Sequence, residues 1–381
     1  MRAEFIDSLH QVDADSWNRC LNSDYPFLQH LFLVGLEDAL CTTQASGWQP
    51  HHCLIWDKDQ LVAAAPTYFK SHSYGEYVFD WAFADAWQRS GLQYYPKLLT
   101  AVPFTPCSGP RLLVRPDVES PADTRERLVD ALCEEARIRA SSWHLLFHNE
   151  PDMTHTSQST LHWRQTCQFH WFNRDFADFD AFLATFSSRK RKAVKKERAK
   201  VAAQGITMVT YEGDTLTRDI CQQFHHFYQM TYAKRSGHGG YLTAAFFTDL
   251  LPTMRESVVL VMAMLEGHAV AGALYLRDQT TLYGRYWGAL AEFDALHFEA
   301  CYYQGIDYCI KHGLQVFNPG AQGEHKIQRG FEPTLTQSHH FICDERFSSA
   351  VANFCEDERR QVVGYQKAAS EYCHSALNHS L

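Results

Sequence analysis

Along the chain, short apolar runs separated by polar turns come in two groups of three. The first group is CLIW (Cys53 to Trp56), a DKDQ turn, LVAAAPTYF (Leu61 to Phe69) and EYVFDWAF (Glu76 to Phe83). The second repeats that order with VVLVMAML (Val258 to Leu265), an EGH turn, AVAGALYLR (Ala269 to Arg277) and TLYGRYWGA (Thr281 to Ala289). Short apolar runs rich in Val and aromatics, bounded by Gly or charged turn residues, predict β-strands. The echo extends to Tyr77 and Trp81, spaced like Tyr283 and Trp287, with Tyr94-Tyr95 and Tyr302-Tyr303 at a matching distance. An offset of roughly 200 residues is too long for a solenoid and right for a duplicated domain. Chance similarity is the competing explanation.

Helical patterns accompany each group. Ser120-Pro121 supplies a cap and a first-turn proline for a helix with Leu128, Leu132 and Ala136 on one face. Phe298, Tyr302, Ile306 and Cys309-Ile310 form a helical stripe ended by Gly313, and the strand QVFN (Gln315 to Asn318) follows. A helix, a turn and a strand behind a three-strand meander predict a mixed α/β domain, not a bundle or a sandwich. The pattern breaks at NRDFADFD, Asn173 to Asp180. The expected domains are therefore 1–174 and 175–381, the second opening with a basic helix over 187–204 that Ser187 or Ser188 caps and Gly205 ends.

That helix changes the picture of charge. The net charge is −9, yet RKRKAVKKERAK, Arg189 to Lys200, holds eight basic residues and one acid. A basic stretch in an acidic chain is one local patch, which argues against a DNA-binding domain. Its narrow apolar stripe, Val194 and Val201, leaves two readings. It is either a solvated connecting helix or a phosphate clamp in which Arg189, Lys190, Lys192 and Lys196 hold a nucleotide-bearing donor.

Composition removes other classes. Hydrophobic residues make up 45% and charged residues 21%, an ordinary globular balance. No apolar run approaches the roughly 20 residues that span a bilayer, and MRAEFIDSLH carries acids where a signal peptide needs a basic and then an apolar stretch. The twelve cysteines form no CxxC pair. They are expected to be reduced, buried thiols of a cytoplasmic protein, with no metal site. The His pairs 51-52, 225-226 and 339-340 lack metal-ligand spacing.

The densest chemistry lies in NPGAQGEHKIQRGFEP, Asn318 to Pro333, behind the last predicted strand. Such a stretch has little to bury, so its polar groups are expected to face a cleft. This run and YGRYWGALAEFDALHFEACYYQGIDYCIKHGL before it resemble the GNAT-like acyltransferases of the peptidogalycan-biosynthesis family, relatives of the FemAB peptidoglycan aminoacyltransferases. DWAFADAW, YYPKLLTAVPFTPCSGPRLL and the basic helix SSRKRKAVKKERAKV extend the resemblance over nearly the whole chain.

The resemblance implies an α/β fold of tandem GNAT-like domains, mixed central sheets flanked by helices. It implies N-acyl transfer from a thioester such as acyl-CoA, or from an aminoacyl-tRNA ester, to an amine acceptor of the peptidoglycan-precursor kind. The motif usual for coenzyme A users is met only as R-x-x-G-x-L, through Arg285, Gly288 and Leu290, with a bulky residue where a small one is expected. The donor therefore stays open.

Acyl transfer to an amine needs a proton acceptor and a donor to the developing oxyanion. Glu324 or His325 is the expected acceptor, with Glu299 a further carboxylate that could equally complement its helix dipole. His297 stands just before that helix. Lys326 and Arg329 are expected to hold an anionic part of the substrate, and Asn318 and Gln322 to donate to a carbonyl oxygen. Tyr283, Arg285 and Trp287 alternate on one strand face, as a packed row or a substrate wall. Asp80, Trp81, Tyr95 and Lys97, with Arg111, are the expected opposite wall. The alternative is a non-catalytic pair of domains that binds a nucleotide-linked or tRNA ligand through the basic helix.

Overall fold

The computed structural model describes residues 1–150, 153, 161–321 and 323–376. The chain folds into two compact units, Met1–Thr166 with Leu335–Gly364, and Cys167–Thr334 with Tyr365–Leu381. The first join thus falls a few residues before the expected 174/175 boundary. In addition, the chain returns to the first unit after Thr334.

The first unit carries β1 (Arg2–Ile6), β2 (Trp48–Pro50), β3 (His52–Asp57), β4 (Gln60–Ala65), β5 (Thr67–Lys70), β6 (Lys97–Thr100), β7 (Leu113–Val114) and β8 (Ser142–Leu146). Strands β1, β3, β4 and β7 form one antiparallel sheet. In the other, β2, β5 and β6 pair antiparallel, and β6 runs parallel to β8. The predicted strand Leu61 to Phe69 is split between these sheets at Pro66, which has no N–H to give to a ladder. The helix Pro121–Arg139 forms as expected. The Ser120 side chain accepts from the Asp123 N–H, and Leu128, Leu132 and Ala136 are buried.

One predicted strand is absent. Tyr77 takes a left-handed φ of 64° beside Gly75 at 80°, and Trp81–Arg89 is a helix rather than the end of a strand. Phe83 and Trp87, four residues apart, are its buried face. That is the helical period, which outweighs the aromatic content that suggested a strand. The residue-level echo fails with it. Tyr283 and Trp287 lie on a strand, whereas Tyr77 sits in a turn and Trp81 opens a helix.

Strands β9 (His162–Phe172) and β15 (Glu332–Ile342) each contribute to both units, and β15 pairs antiparallel with β8 in the first. The second unit adds β10 (Ile206–Tyr211), β11 (Val258–Leu265), β12 (His268–Arg277), β13 (Thr281–Ala289) and β14 (Val316–Asn318). Strands β10 to β13 form an antiparallel meander, β14 joins β13 in parallel, and β9 pairs with β14. Glu266 and Gly267 both take left-handed φ values, 52° and 80°, the two-residue turn that suits a twisted hairpin.

A core of Trp171, Phe182, Phe186, Tyr275, Tyr303, Phe317 and Phe331 holds this unit together. Gly305 makes room for it, since a Cβ there would meet Phe317 Cε1 at 2.5 Å. The basic helix Ser188–Ala203 buries Val194 and Val201. No helix among the described residues is long and apolar enough to cross a membrane. All twelve cysteines are free, and the described residues hold no cluster of three or more His, Cys, Asp or Glu suited to a metal.

Candidate active site

The second unit opens where two of its strands part. β13 and β14 pair from Thr281↔Val316 to Tyr283↔Asn318. β14 then ends at Pro319-Gly320, while β13 runs on to Ala289. Asn318 Oδ1 accepts the Gly320 N–H at 2.9 Å and shapes this exit, and Gly320 takes a φ of 85°. A cavity of about 390 Å³ fills the opening.

β13 lines the cavity with four consecutive residues, Gly284, Arg285, Tyr286 and Trp287. An alternating strand would present only every second one. The β12–β13 register shifts at Leu274/Tyr275, leaving Arg285 as the extra residue of a bulge, a device that redirects side chains. This corrects the alternating row. Tyr283 is outside the lining, and its hydroxyl donates to Asp278 Oδ2 at 2.7 Å.

The other walls come from helix ends. Thr231, Tyr232, Arg235 and Ser236 close the helix Arg218–Ser236. His297, Cys301 and Tyr302 come from the helical segment after β13, which widens into a π-turn over Glu299–Tyr303. Such turns recur at functional sites because they reorient side chains in mid-helix. Pro319, Ala321 and Lys326 complete the lining.

Three cations, Arg235, Arg285 and Lys326, line this cavity, and among the described residues no carboxylate does. Lys326, only 2% exposed, donates from Nζ to the carbonyl oxygens of Gly320 at 2.8 Å and Ala321 at 3.4 Å. The Arg285 guanidinium lies 5.0 Å from the Tyr286 ring centre. Burial, and then the charges of Arg235, His325, Arg329 and Lys326, push His297 down to about 4, so its imidazole is neutral at pH 7. Burial raises the Cys301 thiol and the Tyr302 phenol above their ordinary values, so both stay protonated. Tyr302 Oη meets His325 Nε2 at 2.9 Å. Exposed His325 titrates below its usual range, through partial burial and then the charges of Arg329 and Lys326.

Of the residues singled out in the sequence, Arg285, Trp287, His297 and Lys326 line the cavity, and His325 reaches it through Tyr302. Glu324 is exposed, does not line it, and accepts from the Tyr365 hydroxyl at 2.8 Å. Glu299 is buried against Arg198 at 3.0 and 3.2 Å and accepts from Gln304 at 2.7 Å, so it is a structural ion pair rather than a base. Arg329 does not line the cavity. Glu197 holds it at 2.7 and 3.2 Å, and its guanidinium stacks 3.4 Å from the Phe298 ring centre. Asn318 is consumed by its turn, and Gln322 lies outside the described residues.

The expected opposite wall belongs to the first unit and does not line this cavity. Lys97 is fully buried and donates to Glu76 at 2.7 Å, to Ser73 at 2.8 Å and to Asp80. Tyr95 bonds Ser73 at 2.8 Å, Arg111 donates to the Cys107 carbonyl at 2.6 Å, and Trp81 opens a helix with its ring part-exposed.

On the basic helix, Lys195, Arg198 and Lys200 pair with Asp180, Asp307 and Asp294, each at 2.7–2.8 Å. Lys190 sits 4.9 Å from the Tyr372 ring centre. Arg189, Lys192 and Lys196 share one exposed face and have no carboxylate partner among the described residues.

Sequence reasoning missed Tyr302, Cys301 and Arg235. Tyr302 was counted as core because its spacing fits the buried stripe, and the π-turn that turns it to the cavity leaves no mark in that periodicity. Gly288 also carries a different duty from a phosphate loop. A Cβ there would meet the Phe227 backbone carbon at 2.2 Å, so glycine lets the helix lie close on β13.

Comparison with known proteins bears on this fold. The FemAB-like family model ("Peptidogalycan biosysnthesis/recognition") matches residues 8–374. A protein of unknown function from Bacteroides thetaiotaomicron VPI-5482 shares 10% identity at a TM-score of 0.52, over 90% of this chain and 100% of that one. The C-terminal domain of an Agrobacterium fabrum protein assigned as a lysylphosphatidylglycerol synthetase shares 11% at 0.51, over 85% and 96%. L-PGS from Bacillus licheniformis shares 11% at 0.50, over 83% and 92%. At such identities the likeness is one of fold. A comparison with curated proteins finds no match. With the family model spanning nearly its whole length, the chain belongs to the FemAB-like family, and its mixed α/β fold is one it shares with these solved structures.

Proposed function

We propose that the cavity at the parting of β13 and β14 is an acyl-transfer site. It moves an acyl or aminoacyl group from a thioester or an aminoacyl-tRNA ester to the amine of a peptidoglycan-precursor-like acceptor. The observation that carries this reading is a cavity lined by three cations and, among the described residues, no carboxylate, with Tyr302 in its wall and His325 hydrogen-bonded behind it. The neutral amine attacks the carbonyl carbon, and Arg285 and Lys326 offset the negative charge that develops on the oxygen. Tyr302 takes the amine proton as it passes its own to His325. Collapse breaks the bond to sulfur or oxygen, and the same relay runs back through Tyr302 to protonate the leaving group, so one proton passes from amine to leaving group.

The exposed Arg189, Lys192 and Lys196 face supports donor phosphates at the basic helix. Such donors put the reaction in the cytoplasm. The test offers tRNA charged with mixed amino acids, or acyl-CoA, with a nucleotide-linked muropeptide as acceptor, and detects product by mass spectrometry. Tyr302→Phe and His325→Gln should each lower kcat about a hundredfold. Full turnover in both folded variants would refute the assignment.

A further inference from the structure

The basic helix contains one acid, and it is tied to the turn that carries His325. Glu197 accepts from Arg329 Nη2 at 2.7 Å and from Arg329 Nε at 3.2 Å, and also from the Tyr303 hydroxyl. This two-point grip fixes the long Arg329 side chain, which is 5% exposed and stacked on Phe298. The remaining arm, Nη1, donates to the His325 carbonyl at 2.8 Å. Gly323 and Gly330 bound the Glu324–Arg329 turn with φ values of 111° and 87°, conformations that glycine adopts without strain. Between two such ends, side-chain tethers decide where the turn's backbone sits. The Arg329 tether grips the His325 backbone carbonyl.

We propose that Glu197 is a positioning residue that, through Arg329, holds His325 against Tyr302 at the cavity wall. This rests on the reading of Tyr302 and His325 as the proton path. Exposed surface carboxylates contribute little to a fold, but Glu197 is part-buried and closes a chain from the basic helix to a cavity-lining phenol. The charged groups facing His325 are Lys326 and Arg329 on its own turn, with the neutral Tyr302 phenol opposite.

The test reads the His325 ring directly in the full-length protein, by 15N-resolved NMR of the imidazole nitrogens, with His325→Gln assigning the signals. Glu197→Gln should displace the His325 Nε2 signal to where Tyr302→Phe places it. Arg329→Lys, which keeps the charge but loses the two-point grip, should do the same. Tyr303→Phe, which removes a Glu197 contact and leaves Arg329 held, should keep the wild-type signal. With the charged-tRNA and muropeptide pair, Glu197→Gln should lower kcat about tenfold and leave KM within about twofold. A wild-type His325 signal in folded Glu197→Gln overturns the proposal, as does a displaced signal with unchanged kcat. Unchanged turnover in Tyr302→Phe would instead sink the functional reading, while the ring signals still decide the role of Glu197.

Discussion

Lys97 in the first unit and Lys326 in the second are both buried lysines in neighbourhoods rich in aromatic rings, yet they do opposite things. Lys97 is met by Glu76 and Asp80, with Ser73 completing its shell. Burial alone would raise the Asp80 carboxyl, and the charge of Lys97, with its hydrogen bond, more than offsets that and holds it down. Lys326 is braced by backbone carbonyls and shares its cavity with Arg235 and Arg285, and no carboxylate among the described residues lines it. Charge neutralised within the protein is architecture. Positive charge gathered around an open hollow is suited to an anion that arrives from outside.

The largest test of that contrast removes Lys97. Lys97→Met strands the buried Asp80 carboxylate and should cost about 3–5 kcal/mol in chemical denaturation. A loss under about 1 kcal/mol would show the first-unit cluster to be loosely held, and the contrast with the second unit would lapse.

Acid sharpens the same comparison. Burial pushes His144 down to about 3 and His148 down to about 2, below the 6.5 of an unfolded chain. Between those values and 6.5 the unfolded state binds a proton that the folded state refuses. Stability is therefore full above pH 6.5 and falls as pH drops, by about 2 kcal/mol per histidine at pH 5. Each neighbours a second buried histidine, His340 at 2.6 Å and His339 at 2.7 Å. Calorimetry from pH 7 to 5 should show Tm falling, and His148→Gln should flatten that fall. A pH-independent Tm would contradict it.

The smallest expected effect lies on the basic helix. The triple substitution Arg189→Ala, Lys192→Ala, Lys196→Ala should leave Tm within a few degrees. It should flatten the salt dependence of charged-tRNA binding by about two in log–log slope. An unchanged slope would return this face to the solvated-helix reading.

How much was legible in advance follows from which interactions are local. Val258–Leu265 and Thr281–Ala289 have the bounds their apolar runs predicted, because a strand's residues announce its period themselves. Ser120 and Gly313 likewise cap the helices their neighbours suggested. Glu76 to Phe83 failed because its aromatics sit at both periods, and burial of Phe83 with Trp87 chose the helix. Of the residues lining the cavity, Lys326 stood out in the sequence because a glycine-rich, polar stretch behind a strand is poor core, and Arg285 and Trp287 because they alternate along a strand. Glu299 and Arg329 were misassigned because their partners, Arg198 and Glu197, lie a hundred or more residues away in sequence.

The sequence by itself determined the family and the mixed α/β character of the chain, since each is carried by local pattern or by a long run of matching residues. Only the tertiary structure decided which cations line the hollow and which lie away from it. Pairing joins groups remote along the chain, and a one-residue bulge at Arg285 or a π-turn at Tyr302 redirects a side chain without altering the surrounding pattern.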